Sequence, residues 1–83
     1  MRNDLVHELI GYDPNTNRIV YREKIPGPCA AKVISMVGPD EADPDAIDSY
    51  IVDLHVANEI FSLAKLPIGP QNAEYFLESL ALA

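Results

Sequence analysis

The chain has 83 residues, of which 48% are hydrophobic and 23% are charged, and its net charge is −7. This composition is typical of a globular protein, and the length predicts one domain, residues 1–83. The charge is unevenly placed: residues 1–32 carry five bases and four acids, whereas residues 33–83 carry one base and nine acids. Because binding to a phosphate backbone requires a basic patch, we expect no nucleic-acid partner.

Hydropathy and cysteine content indicate the compartment. No stretch approaches the 18 apolar residues of a membrane-spanning helix, and the apolar run near the first residues is too short for a secretory signal. The single cysteine forms no internal disulfide, which fits a reducing environment. We therefore expect a cytoplasmic protein that makes no contact with a membrane.

The first elements form a β-hairpin, with strands over residues 5–12 and 18–25 and a turn between them. Pro14 suits the first corner of the turn, and Asn17 suits a left-handed position. Counting outward from a pair of Asp13 and Arg18 predicts that one face of the hairpin forms the core. That face comprises Val6, Ile10, Tyr12, Ile19, Tyr21 and Ile25, and the opposite face carries His7, Leu9, Val20, Arg22 and Lys24.

The same register places Glu8 opposite Glu23 on the apolar face, which is unfavourable. Paired carboxylates perform acid–base catalysis in some enzymes. A bulge or a one-residue slip that separates the two side chains is the preferred interpretation.

Two helices follow the hairpin. Pro26-Gly27-Pro28 begins a helix of about ten residues that Gly38-Pro39 ends. An acidic loop over residues 40–48 and a short strand over 49–52 come next, with Tyr50 and Val52 on one side of that strand. Asp53 is a suitable N-cap for a second helix, which we expect to continue to about Leu66, before Pro67.

Residues 73–82 fit either a helical stripe or an alternating strand, and the pattern alone slightly favours a helix. The chain contains the segments GYDPNTNRIVYREKIP, DSYIVD and AEYFLESLA. In these it resembles a family of small, uncharacterised acidic bacterial proteins, some of which look like immunity proteins from toxin–immunity loci. Asn17 stands where that family usually has glycine. The resemblance implies a final strand from Glu74 to Leu80 beside the hairpin and transfers no catalytic residue.

Together these elements predict an α+β fold. An N-terminal hairpin and a C-terminal strand would form a small antiparallel sheet, with two helices packed on one face.

The acidic loop is the first candidate for a functional site. Its carboxylates could in principle bind Ca²⁺, but an EF-hand that began at Asp43 would have Ile47 at position five and Leu54 at position twelve. We therefore expect no metal and no cofactor there. A solvated loop or a surface that docks a basic partner are the remaining interpretations.

Three further side chains are candidates for chemistry. Cys29 lies near a helix N-terminus with Lys32 one turn on, but without a second cysteine a small buried apolar residue is the better interpretation. His7 and His55 form no metal-binding pattern, and we expect both on the surface.

The sequence thus predicts a non-catalytic protein that binds a basic protein, such as a toxin, through its acidic second half. The expected binding residues are Asp40, Glu41, Asp43, Asp45, Asp48 and Tyr50. Two alternatives stay open. One is a DNA-mimic inhibitor, whose carboxylates would be spaced like phosphates along one face. The other is a structural or assembly module that forms a homodimer through an edge strand of the hairpin.

Overall fold

The structure, a computed structural model, describes residues 5–81, which form four strands and two helices; residue 82 of the ambiguous last segment lies outside them. In chain order the elements are β1 (Leu5–Tyr12), β2 (Ile19–Lys24), α1 (Gly27–Val37), β3 (Tyr50–Val52), α2 (Leu54–Leu63) and β4 (Glu74–Ala81). The strands form one antiparallel sheet in the order β2-β1-β4-β3. The predicted α+β fold is confirmed, including the short third strand and the C-terminal strand beside the hairpin.

The hairpin turn is held by hydrogen bonds across its base. The Asp13 amide donates to the Arg18 carbonyl at 2.8 Å, and the Asn17 amide donates to the Asp13 carbonyl at 2.7 Å. Asn17 has a φ of 57°, the left-handed conformation that the sequence predicts for it. The Asp13 side chain accepts a hydrogen bond from the Asn15 amide at 2.8 Å, which further fixes the turn.

A β-bulge lies just beyond this turn. Tyr12 pairs with Ile19, but the preceding residue of β1, Gly11, pairs with Tyr21. Val20 is therefore an extra residue in β2. The shift places Glu8 opposite Lys24 instead of Glu23. The prediction that a bulge or slip relieves the Glu8–Glu23 clash is therefore confirmed, and these two carboxylates form no pair.

The prediction of the core face of β1 is wrong. Leu9 is fully buried beneath the helices, in one hydrophobic cluster with Tyr21 and Ile25. Ile10 lies on the opposite side of the sheet, as do the predicted core residues Val6, Tyr12 and Ile19. Only Tyr21 and Ile25 of the six predicted residues belong to the helix-covered core.

Gly11 supplies the physical reason for this choice of face. A Cβ atom at Gly11 would lie 2.8 Å from Cε1 of Tyr75 and 3.1 Å from Cβ of Tyr21. The absence of a side chain on β1 at this position therefore makes room for two tyrosines from the flanking strands. Since alternate residues share a face, Gly11 and Leu9 lie together on the helix side.

Both helices begin where the sequence predicts. Gly38 ends α1 in the left-handed conformation, and the Asp53 side chain caps α2 by accepting a hydrogen bond from the Val56 amide at 2.9 Å. Helix α2 ends at Leu63, about three residues earlier than expected. Lys65, with a φ of 56°, takes the position that glycine usually occupies in a Schellman motif, and the Leu66 amide donates to the Phe61 carbonyl.

Three aromatic rings form the centre of the core. Tyr21, Phe61 and Tyr75 lie with their ring centroids 5.2–5.7 Å apart in tilted and edge-on arrangements. The Tyr21 and Tyr75 hydroxyls donate hydrogen bonds of 2.7 Å to the carbonyls of Pro67 and Pro70. Burial raises the pKa of Tyr21 to about 12, with a smaller contribution from the charge of Glu23. The rings thus hold the connector between α2 and β4 against the core.

We predict that Gly69→Ala destabilises the fold by about 1–3 kcal/mol, the usual cost of overpacking a core. A Cβ atom at Gly69 would lie 2.6 Å from Cδ2 of Tyr21 and closer still to the Tyr75 hydroxyl. Urea denaturation measures the change. Gly27→Ala is the matched control, because its Cβ atom would meet nothing within 4 Å. Equal stability of the two variants would contradict the proposed packing.

Candidate functional site

The acidic loop, residues 40–48, lies between α1 and β3 and is the predicted site. Asp40, Glu41 and Asp48 are exposed, whereas Asp43 and Asp45 are half-buried. The structure thus brings the predicted acids together on one short loop but does not present them equally. Three carboxylates are therefore accessible to a partner, and the other two are partly covered by the protein.

Asp43 organises the loop from inside. Its carboxylate accepts hydrogen bonds from the amides of Ile47 at 2.9 Å and Asp48 at 3.0 Å, and from the Tyr50 hydroxyl at 2.7 Å. These bonds, chiefly those from the Asp48 and Ile47 amides and then that from Tyr50, lower the pKa of Asp43. The side chain therefore acts as a fixed acceptor that closes the loop on itself.

Tyr50 joins the loop to the sheet. It is half-buried at the start of β3 and packs against the core, while its hydroxyl reaches back to Asp43. The same oxygen accepts a hydrogen bond from the Asp40 amide at 3.4 Å. The hydrogen bond to Asp43 is the main reason that the pKa of Tyr50 is raised. The structure thus assigns the polar groups of Asp43 and Tyr50 to bonds within the chain.

His7 fixes the loop from the sheet side, and the expectation that it lies on the surface is wrong. It is only 2% exposed, on the helix side of β1. Its Nε2 atom lies 2.9 Å from the Asp45 carbonyl and 3.3 Å from the Ala46 carbonyl. Because a carbonyl oxygen only accepts, Nε2 carries the proton in this arrangement.

The backbone between these carbonyls adopts an unusual conformation. Ala46 is fully buried with a φ of 51°, in the left-handed region that costs an L-residue about 1 kcal/mol or more. On the next residue, the Ile47 carbonyl accepts a hydrogen bond from the Ser79 hydroxyl of β4. The loop is therefore attached to both central strands, β1 and β4. Nothing in the sequence pattern around His7 marks it as this anchor.

The sheet face opposite the helices, which we call the open face, carries a second polar group that the sequence did not reveal. Glu8, only 8% exposed, accepts two hydrogen bonds from the Arg22 guanidinium, at 3.0 and 3.2 Å. The Tyr12 hydroxyl donates to Glu78 at 3.3 Å, and the Tyr12 ring packs edge-on against Phe76 with centroids 5.6 Å apart. The pairing register of β2, β1 and β4 brings these residues together. This register cannot be predicted from the sequence of any one strand.

The remaining candidates, Cys29 and His55, make contacts within the chain. Cys29 is half-buried against the core, with its sulfur 4.0 Å from the Leu63 carbonyl. His55 is exposed as predicted, and its Nε2 lies 3.1 Å from Glu59 one turn along α2. Among residues 5–81, no three histidine, cysteine or carboxylate side chains are arranged to hold a metal ion.

Comparison with known proteins gives one result. A family model described as a domain of unknown function (DUF7683) matches residues 7–78. No curated protein and no solved structure gives a significant match. In the described part of the chain, no helix has the length and apolarity needed to cross a membrane.

We predict that His7→Leu destabilises the protein by about 1–3 kcal/mol, because two carbonyls lose their buried donor. The amides of the acidic loop should then exchange hydrogen faster. Hydrogen exchange followed by NMR, together with thermal denaturation, measures both effects. His55→Leu is the control, since His55 is exposed and should leave both measurements unchanged. Unaltered loop exchange in His7→Leu would show that the ring does not anchor the loop.

We also predict that acid loosens the loop through Asp43. Because the pKa of Asp43 is lowered in the folded chain, its ionised form stabilises the fold above the ordinary value of 3.8. This stabilisation is lost as pH falls through the lowered pKa. Asp43→Asn should therefore lose less thermal stability than the wild type between about pH 5 and about pH 2. Asp48→Asn is the control and should follow the wild type; parallel curves for all three proteins would contradict the role of Asp43.

Proposed function

The chain belongs to the DUF7683 family, whose function is unknown, and we propose that it is a non-catalytic protein-binding module. Its acidic loop docks onto a basic partner protein. The observation that carries this proposal is the fixed backbone of the loop. Buried His7 is hydrogen-bonded to two backbone carbonyls of the loop, while acidic side chains of the loop point outward. A charged surface that is already ordered loses little conformational entropy on binding.

The charge distribution supports a basic partner. The net charge of −7 comes from the part of the chain that contains the loop, since residues 33–83 carry nine acids and one base. A one-sided field of this kind attracts an oppositely charged surface and raises the rate of association. Among the described residues, the contact surface comprises Asp40, Glu41, Asp45 and Asp48. Asp43 and Tyr50 shape that surface from within.

A toxin whose active site binds nucleic acid has the chemistry expected of such a partner. Its active site must be cationic to hold phosphates, and an acidic protein that covers the site would block it. The proposed role is therefore that of an immunity or inhibitor protein. A DNA-mimic inhibitor is less well supported, because the inward carboxylate of Asp43 interrupts the acidic run.

We predict that neutralising the outward acids slows association with the partner. The test variant carries Asp40→Asn, Glu41→Gln and Asp48→Asn, and the control carries Glu23→Gln, Glu59→Gln and Glu74→Gln, which removes the same charge elsewhere. The probe is the purified product of the neighbouring gene, and surface plasmon resonance at low and high salt measures the rate constants. The loop variant should associate about tenfold or more slowly, and salt should reduce the wild-type rate.

Two results would contradict the proposal. One is equal association rates for the loop variant and its control, which would mean that only total charge matters. The other is catalytic turnover by the purified protein that depends on Cys29 or on Glu8, which would indicate an enzyme.

A further inference from the structure

We propose that the open face of the sheet binds a second copy of this chain, so that two sheets stack face to face in a symmetric dimer. The helices cover only the opposite face, and the open face exposes large apolar side chains. Ile19 of β2 is 48% exposed and Leu80 of β4 is 52% exposed, and both point away from the helices. Stacked sheets lie about 10 Å apart and bury such side chains between them.

Apart from Glu8, which is paired with Arg22, the charges of the open face lie on two strands, and this division identifies the occupant. Strand β2 contributes the bases Arg22 and Lys24, and β4 contributes the acids Glu74 and Glu78. Strand β1 lies between them in the sheet. A surface with a basic strand and an acidic strand on either side of a central one is complementary to a rotated copy of itself.

The strand register specifies how the two copies would meet. Lys24, Glu8 and Glu78 lie in one row across the sheet, and Arg22, Ile10 and Phe76 lie in a neighbouring row. A two-fold axis parallel to β1, in the plane between the sheets, places β2 over the partner's β4 and keeps each row in line. Lys24 then meets the partner's Glu78, and Arg22 meets the partner's Phe76, where a guanidinium over an aromatic ring is favourable.

Other two-fold axes fit the charges less well. An axis perpendicular to the strands in the same plane places β2 over β2 and therefore base against base. An axis between β1 and β4 places Glu8 over the partner's Glu78, which repels. The axis over β1 brings the two Glu8 side chains near each other, but each is buried and already bonded to its own Arg22.

Charge reversal tests this dimer. Sedimentation equilibrium up to millimolar concentration should show a monomer–dimer equilibrium for the wild type. Lys24→Glu and Glu78→Lys should each raise the dissociation constant about tenfold or more, because like charges then face each other twice in the dimer. An equimolar mixture of the two variants should restore association, since both cross-interface pairs are then of opposite sign. The double variant should also dimerise.

The controls separate this effect from net charge and from misfolding. Lys32→Glu and Glu59→Lys change the net charge by the same amounts on the helices and should dimerise like the wild type. If circular dichroism shows that Lys24→Glu is unstable, Lys24→Gln replaces it in the test. Lys24→Gln introduces no new carboxylate beside Glu8 and should still weaken the dimer. A wild type that stays monomeric at every concentration would overturn the proposal. So would failure of the mixture of folded variants to associate.

Discussion

The whole arrangement depends on one constraint, the burial of strand β1 on both of its faces. Its neighbours β2 and β4 cover its edges, the helices cover Leu9 on one side, and Ile10 is only 4% exposed on the other. Two adjacent polar residues, His7 and Glu8, occupy this strand and point to opposite faces. A buried polar group costs several kcal/mol unless it is hydrogen-bonded, so each side chain requires a partner from elsewhere in the chain.

Each of these two requirements organises one surface of the molecule. His7 meets its requirement with carbonyls that lie 38 and 39 residues further along, and so attaches the acidic loop to the sheet. Glu8 meets its requirement with Arg22, which positions a guanidinium over the open face. The surface proposed for a basic partner and the surface proposed for a second copy therefore both originate at neighbouring positions of one strand, and they lie on opposite sides of it.

Local signals in the sequence were sufficient for most of the elements. The Asn17 turn, the Gly38 end of α1 and the Asp53 cap each depend on residues within one turn of the feature, which is why they could be predicted. The helix-covered face of β1 could not be predicted, because apolar residues lie at both odd and even positions of this strand. Gly11 and the tyrosine side chains of β2 and β4 decide which face the helices cover. The end of α2 was misplaced because Lys65 replaces the usual glycine.

The candidate site was only partly accessible to the same reasoning. The acidic loop is visible in composition, but the inward orientation of Asp43 depends on amides that the folded loop presents to it. The roles of His7 and Ser79 depend on contacts with residues more than 30 positions away along the chain. Contacts of that separation leave no periodic trace in one sequence.

The pairing of β1 with β4 has a consequence for how the protein is made. Leu5 pairs with Ala81, so the two middle strands of the sheet are the farthest apart along the described chain. During synthesis, the hairpin and both helices are translated before β4, and the edge of β1 that pairs with β4 stays uncovered until β4 is available. Ordering of the core therefore awaits translation of nearly the whole described chain, and contacts of such long range form slowly. Nascent chains truncated before residue 74 would leave one edge of β1 unpaired, which is the part of a sheet most prone to aggregation.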